Sequence, residues 1–292
     1  MKIQPRVSGR AEFLNTYYRI MREGLVLTRT DPHRLYNLRC SQLPYCPRSV
    51  ILDYLERGKY RPMDLMMAYY TSVGTAVHTV MQTYLSQSGQ FLADYSCKHC
   101  KIDYPLSHVH ECTECGRHTH YEEVTIDVGT KNGRLGIQGH IDGIFKDSKG
   151  NYWIVDFKTT SVAGAPAKER TPGDGYTRQV KAYAVLLRKQ YKIKVKGAML
   201  VFIPRDNPAR PKIWETVMSD RDYEVAKAEL LQDRSLHRKT MRAETVKDVL
   251  GLASTNCGGA YCTHCKKSKP DFMNLVKKAM KKPKLSLPIL KD

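Results

Sequence analysis

Apolar and polar positions alternate most clearly between residues 121 and 160. YEEVTIDVG, RLGIQGHIDGIF and NYWIVDFKTT each follow the two-residue period of a half-buried strand, and the turn signal KDSKGN separates the last two. They predict three consecutive antiparallel strands. VKGAMLVFIP predicts a further strand and KIWETVM an edge strand. Helical spacing marks about 11–24 (AEFLNTYYRIMREG), about 47–57, about 65–87, about 176–190 and about 220–243. The second of these starts at Pro47, a residue suited to a first helical turn. In the third, Val77, Val80, Met81, Tyr84 and Leu85 form an apolar stripe with His78 at its edge. A Gly- and Pro-rich stretch, VAGAPAKERTPGDG, interrupts the order before the 176–190 helix. The order α, βββ, α, β is that of an α/β protein with a mixed β-sheet flanked by helices.

Charge narrows the class of partner. The chain has 292 residues and 48 Lys and Arg against 29 Asp and Glu, a formal charge of +19, so a polyanion is the natural ligand and nucleic acid the leading candidate. No stretch approaches the ~18 consecutive apolar residues of a membrane span. The segment MKIQPRVSGR carries no apolar signal region. The expectation is an intracellular, cytoplasmic protein without a membrane partner, from a bacterium or a phage-infected cell.

Asp156 and Lys158 close the third strand two residues apart, so both project from one face while Val155 and Phe157 project from the other. Asp142 lies on the neighbouring predicted strand. Two carboxylates converging at a sheet edge suit a hard divalent cation, Mg²⁺ or Mn²⁺, which polarises a phosphate and lowers the pKa of a bound water. Lys158 would orient that water or offset developing negative charge. Strand-end carboxylates with a surface ion-pair partner are the plainer alternative, and a D-x-K tripeptide alone does not separate the two.

Order along the chain does. GTAVH (Gly74, His78), GHIDGIF (Asp142), VDFKT (Asp156, Lys158) and RQVKAY (Gln179, Tyr183) follow one another within about 110 residues. This succession resembles the RecB-like branch of the PD-(D/E)XK nuclease superfamily, where a G-x-x-x-H helix precedes an aspartate strand, a D-x-K strand and a Q-x-x-x-Y helix. The resemblance implies a restriction-endonuclease-like fold and a metal held by His78, Asp142 and Asp156, with the backbone carbonyl of Phe157 as a further ligand. It also implies that Lys158 assists the attacking water. Gln179 and Tyr183, four apart on one helix face, would mark the wall of the active site. Glu122 and Glu123 are expected to be solvated strand residues, with an accessory acid at either as the alternative.

The nine cysteines, an odd number in a long basic chain, argue for metal ligation over a disulfide framework. Cys97 and Cys100 are followed, after eleven residues, by Cys112 and Cys115, the spacing of a tetrahedral Cys₄ zinc site. His99, His108, His110, His118 and His120 crowd the same stretch, so a mixed Cys and His site is the alternative. Residues 95–121, with little apolar periodicity, read as a small zinc-knuckle insertion that extends a DNA-binding surface or contacts a partner protein.

The resemblance extends to the other cysteines. In the branch that includes CRISPR-associated exonucleases and the AddB subunit of helicase-nucleases, one N-terminal Cys in a C-P-R context joins three C-terminal ones around a [4Fe-4S] cluster. YCPRSV supplies Cys46 and NCGGAYCTHC supplies Cys257, Cys262 and Cys265, with the CxxC pair last rather than first. Four thiolates suit zinc as well as iron-sulfur, and either would clasp segments about 210 residues apart. Cys40 is a spare candidate or a small buried hydrophobe.

The basic run NLVKKAMKKPKLS reads as a solvated tail or as an arm on the DNA backbone. The expected organisation is an N-terminal helical region (1–60) contributing a cluster cysteine, a nuclease core (61–250) with the insertion at 95–121, and a C-terminal cysteine cluster with a basic tail (251–292). The expected activity is Mg²⁺- or Mn²⁺-dependent exonuclease action on DNA ends, in recombination, repair or phage DNA metabolism. A recombination or single-strand-binding protein is the expected partner class. No Walker A sequence is present, so no helicase motor is expected. The alternatives are a structure-specific or single-strand endonuclease, a non-catalytic nucleic-acid-binding zinc protein and a redox-sensing regulator.

Overall fold

The computed structural model describes residues 37–55, 65–129 and 136–243, with Asp248, Gly251, Leu252 and Asn274 beyond them. The helix expected at 11–24, the Cys257, Cys262 and Cys265 trio and the basic C-terminal run lie outside the described residues. The chain begins with strand β1 (Leu38–Arg39), a 3-10 turn (Cys40–Gln42), helix α1 (Pro47–Leu55) and helix α2 (Leu65–Ser86). Strands β2 (Phe91–Cys97), β3 (Ile102–Ser107), β4 (His120–Glu122), β5 (Val124–Val128), β6 (Ile137–Ile141), β7 (Gly143–Lys146) and β8 (Tyr152–Thr160) follow. Helices α3 (Ala165–Arg170) and α4 (Asp174–Tyr191), strands β9 (Gly197–Pro204) and β10 (Lys212–Val217), and helix α5 (Asp220–Met241) complete it.

Seven strands form the main sheet in the order β10-β9-β8-β7-β2-β3, with β4 also paired to β2, while β1, β6 and β5 form a second sheet. β8 and β9 run parallel and the other main-sheet pairs antiparallel, which makes the sheet mixed. A parallel pair needs a crossover, and α3 and α4 supply it between β8 and β9.

Both faces of β8 are covered, which is why Ile154, Val155, Asp156 and Phe157 are all buried. Ile154 belongs to the large core that α4 contributes to through Val180, Ala184 and Leu187. Val155 and Phe157 instead pack with Phe91, Ile203 and the α2 residues Val77, Met81 and Leu85. Burying a side chain such as Ile154 or Phe157 stabilises by about 1.5–3 kcal/mol, so the strand is anchored from both sides before any charge is placed on it. α5 starts at a capping box in which the Ser219 hydroxyl accepts the Asp222 N–H at 3.2 Å and Asp222 accepts the Ser219 N–H at 2.9 Å.

Three features differ from the sequence expectation. The strand expected over 134–145 divides at Asp142 into β6 and β7, which lie in different sheets. Residues 95–121, despite their little apolar periodicity, hold a regular hairpin of β2 with β3, and β2 extends before them to pair with β7 at Phe91 and Leu92. The stretch before α4 holds a short helix, α3, which Pro166 can open because its missing N–H costs nothing in a first turn.

Candidate active site

The site forms where the chain changes sheets. Gly143 of β7 lies opposite Val155 of β8, and the same antiparallel register would place Ile141 opposite Phe157. Instead β6 has turned away to pair with β5. The Asp142 side chain takes the place of the missing strand, with Oδ2 accepting the Phe157 N–H at 2.6 Å. That bond holds a carboxylate with 6% exposure against β8. Gly143 permits the close approach: a Cβ there would lie 2.7 Å from Phe91 Cδ1 and 2.8 Å from Tyr121 Oη.

Helix α2 brings His78 to the same point. Its Nδ1 lies 3.5 Å from Asp142 Oδ2, and its ring stands edge-on to Phe157 at a centroid distance of 6.0 Å. Burial pulls the imidazole pKa down, but the Asp142 carboxylate outweighs it, aided by Asp156, and the net shift is upward. Gln82, one turn along the same helix face, donates from Nε2 to Glu123 Oε1 at 3.3 Å. One ligand atom each from His78, Glu123 and Asp142 lie within 4.8 Å of one another. An imidazole and two carboxylates converging in this way fit a divalent cation such as Mg²⁺ or Mn²⁺.

Asp156 and its partners form an adjoining group. Asp156 is 2% exposed, and its Oδ2 lies 2.5 Å from Lys158 Nζ, a contact of charge on charge rather than an aligned hydrogen bond. Gln179 Nε2 donates to Asp156 Oδ1 at 3.4 Å and to Tyr183 Oη at 2.9 Å. Burial pushes the Asp156 pKa up to about 6; Lys158 opposes that rise and Asp142 adds to it. Burial lowers the Lys158 pKa, yet Asp156 outweighs burial and the net shift is upward, so the ammonium is charged at neutral pH. The Lys158 Nζ lies 5.3 Å from the centre of the Tyr176 ring. Tyr183 packs over β6 at Gly139, where a Cβ would stand 2.6 Å from Tyr183 Cε1 and 3.1 Å from Cys40 Sγ.

The structure thus brings His78 and Asp142 together and places Asp156, Lys158, Gln179 and Tyr183 beside them, linked by the bond from the Phe157 N–H to Asp142. The Asp156 carboxylate is not among the atoms converging within 4.8 Å. It turns to Lys158 and Gln179 instead. The convergent set includes Glu123, for which solvation was expected. Glu123 sits in the one-residue gap between β4 and β5, off both ladders, so strand alternation does not dictate where it points. Glu122 does face solvent, where it meets Lys98 Nζ and Ser96 Oγ, each at 2.8 Å.

The sequence model of the PD-(D/E)XK nuclease superfamily matches residues 39–268, which span every one of these side chains. The chain belongs to the PD-(D/E)XK nuclease superfamily. No curated protein matches the sequence. Among solved structures, SSO0001 is similar at 15% identity, covering 77% of this chain and 86% of that one, with a TM-score of 0.40. The alkaline exonuclease LHK-Exo from Laribacter hongkongensis is similar at 11% identity, with 70% and 90% covered and a TM-score of 0.41. The structure of LHK-Exo in complex with dAMP gives 12%, the same coverage and 0.41. Membership of the superfamily rests on the sequence match.

This PD-(D/E)XK nuclease carries a second candidate metal-binding arrangement. The Sγ atoms of Cys97, Cys100, Cys112 and Cys115 lie within 4.8 Å of one another, and none of the module's histidines joins them. Both knuckles make the same turn: Lys101 N–H donates to Cys97 O at 2.7 Å and Gly116 N–H to Cys112 O at 2.9 Å, with Lys101 (φ 56°) and Gly116 (φ 68°) left-handed. Tyr104 Oη donates to Cys112 Sγ at 3.3 Å and brings that thiol's pKa down to about 6, while the Cys115 thiol is the leading cause of a rise at Cys100 to about 12. A cation bound by thiolates would relieve that competition for protons, so the donor set fits zinc or iron-sulfur. Elsewhere in the nuclease, Cys40 is fully buried and burial pushes its thiol up to about 12, in keeping with a small buried hydrophobe. Cys46 is buried at the start of α1. Among the described residues no helix is long and apolar enough to cross a membrane.

Proposed function

We propose that this nuclease is a divalent-cation-dependent deoxyribonuclease that hydrolyses phosphodiester bonds at DNA ends. The observation that carries the reading is the Asp156–Lys158 ion pair, clamped by Gln179, one residue from the N–H that fixes Asp142 beside His78. His78, Asp142 and Asp156, with the Phe157 carbonyl, are the ligands in this account, and Glu123 joins them. When bound there, such a cation supplies Lewis acidity toward a phosphate oxygen and lowers the pKa of a water.

The protein's own groups do the rest. Asp142 is held in place by the Phe157 N–H, so its carboxylate needs no reorganisation before it acts. Asp156 keeps Lys158 charged and aimed, and Lys158 orients the attacking water or stabilises charge developing on the phosphate. Gln179 and Tyr183 hold the Asp156 carboxylate in orientation. The surplus of +19 favours the polyanionic substrate throughout. In this account residues 61–250 are the catalytic core, and Cys46 with Cys257, Cys262 and Cys265 binds a [4Fe-4S] cluster or zinc that ties 1–60 to 251–292.

End-labelled linear DNA and covalently closed single-stranded circles, each digested with Mg²⁺ or Mn²⁺, test the reading. Linear DNA should be degraded and circles left intact. Cutting of circles would replace the exonuclease by an endonuclease, and no cutting of either would leave a binding protein.

A further inference from the structure

Two short covalent spans join the four thiols to the nuclease centre. β2 is one seven-residue strand with two neighbourhoods: Phe91 and Leu92 pair with Phe145 and Ile144 of β7, while Tyr95, Ser96 and Cys97 pair with β3. A ligand thiol therefore ends the strand that borders Gly143. On the return, seven residues separate Cys115 from Glu123, and they include β4, which lies against β2 with Tyr121 opposite Tyr95. Asp94 of β2 accepts the Leu106 N–H of β3 at 2.8 Å and the Thr125 N–H of β5, just past Glu123, at 3.2 Å.

Both β4-side contacts end on the nuclease centre. Tyr121 Oη donates to the backbone carbonyl of Asp142, and its ring stands edge-on to Tyr95 at 5.5 Å. Glu123, two residues on, reaches His78 and Asp142. The peptide carrying Asp142 is thus gripped on both sides, by the Phe157 N–H on the side chain and by Tyr121 on the carbonyl.

We propose that the cysteine module is one wall of the nuclease site, and that metal loading of the four thiols raises the site's affinity for its divalent cation through Tyr121, a positioning residue, and Glu123, a ligand. This rests on the nuclease reading given above. The thiol-bound metal stiffens the knuckles at Cys97 and Cys115, and that order reaches Asp142 through Tyr121 and reaches the cation directly through Glu123. Such coupling is reciprocal, so a cation at His78 and Asp142 also favours retention of the thiol-bound metal.

The test is a Mn²⁺ titration of the full-length protein, followed by the electron paramagnetic resonance of free Mn²⁺, with the metal content of the cysteine site measured alongside. Loss of a partner that orients a ligand typically weakens metal binding about 10–100-fold. Tyr121→Phe and Glu123→Gln should each raise the Mn²⁺ dissociation constant about tenfold with the thiol-bound metal retained, and Tyr121→Phe should regain DNA cleavage at saturating Mn²⁺. Cys115→Ser, if its far-ultraviolet circular dichroism is preserved, should show the same weakening. Mn²⁺ binding equal to wild type in Tyr121→Phe, or in a folded Cys115→Ser that has lost the thiol-bound metal, overturns the proposal. Wild-type Mn²⁺ binding that Asp142→Ala leaves unchanged would instead overturn the nuclease site on which the proposal rests.

Discussion

Asp142 completes β8 with its side chain, accepting at 2.6 Å the Phe157 N–H that a continuing β6–β7 strand would have paired. One carboxylate therefore serves the fold and the site, and the two duties separate by mutation. Asp142→Asn keeps an oxygen acceptor and should fold with little loss of stability while DNA cleavage disappears. Asp142→Ala leaves a buried N–H unpaired and should cost about 1–3 kcal/mol in addition. Urea denaturation of both variants, paired with a cleavage assay, measures the difference.

Among the described residues, Gln179 is the only hydrogen-bond donor to the Asp156 carboxylate apart from its contact with Lys158. Gln179→Ala should lower kcat roughly 10–100-fold, the usual cost of losing a partner that orients a metal-site carboxylate. Tyr183→Phe, which removes only the oxygen that accepts from Gln179, should cost less. Equal rates in wild type and Gln179→Ala would remove the Q-x-x-x-Y pair from the mechanism.

Next to Gln179, Arg178 ties α4 to Asp233 of α5. Its Nη2 donates to Asp233 Oδ2 at 2.8 Å, while the Tyr45 N–H occupies Oδ1 at 3.2 Å. Burial raises the Asp233 pKa, and Arg178 works against that rise. Arg178→Ala strands a largely buried carboxylate and should destabilise by about 3 kcal/mol. Arg178→Ala with Asp233→Asn should recover part of that loss in thermal melts.

Asp147 gives a pH-dependent prediction. It accepts the Lys149 and Asn151 N–H groups at 2.9 and 2.8 Å and the Trp153 Nε1–H at 3.1 Å, closing the β7–β8 hairpin. The Asn151 and Trp153 side-chain bonds, with the backbone N–H groups, hold its pKa down to about 2, against 3.8 for the free group. A depressed carboxylate stabilises fully above 3.8 and loses that contribution as pH falls toward about 2. Asp147→Ala should melt below wild type at pH 7, and the gap should narrow as melts are run at successively lower pH.

The working strand was legible in the sequence because Trp153, Ile154, Val155 and Phe157 leave only Asp156 and Lys158 as charged positions; of the stripe expected on the His78 helix, Val77, Met81 and Leu85 pack on the sheet while Val80 and Tyr84 are exposed. β2 was not legible. It is buried on both faces, so FLADYSC shows no alternation, and the cysteines that follow drew attention to metal spacing instead. The division at Asp142 was hidden for a related reason: β6 and β7 keep the same two-residue period, and only pairing partners reveal that they belong to different sheets. Gly139 and Gly143, flanking the break where Tyr183 and Tyr121 press close, were the available signal. From the sequence Glu123 is an accessory acid only as the alternative, because its placement depends on a one-residue gap between strands, which pattern reasoning runs together.

The most direct measurement is cleavage of end-labelled linear DNA in Mn²⁺ by wild type and by Asp156→Ala, with DNA binding measured on both. Degradation by wild type, its loss in Asp156→Ala and unchanged binding are the results this account predicts. Cleavage that persists in Asp156→Ala, in a preparation free of contaminating nucleases, would contradict it.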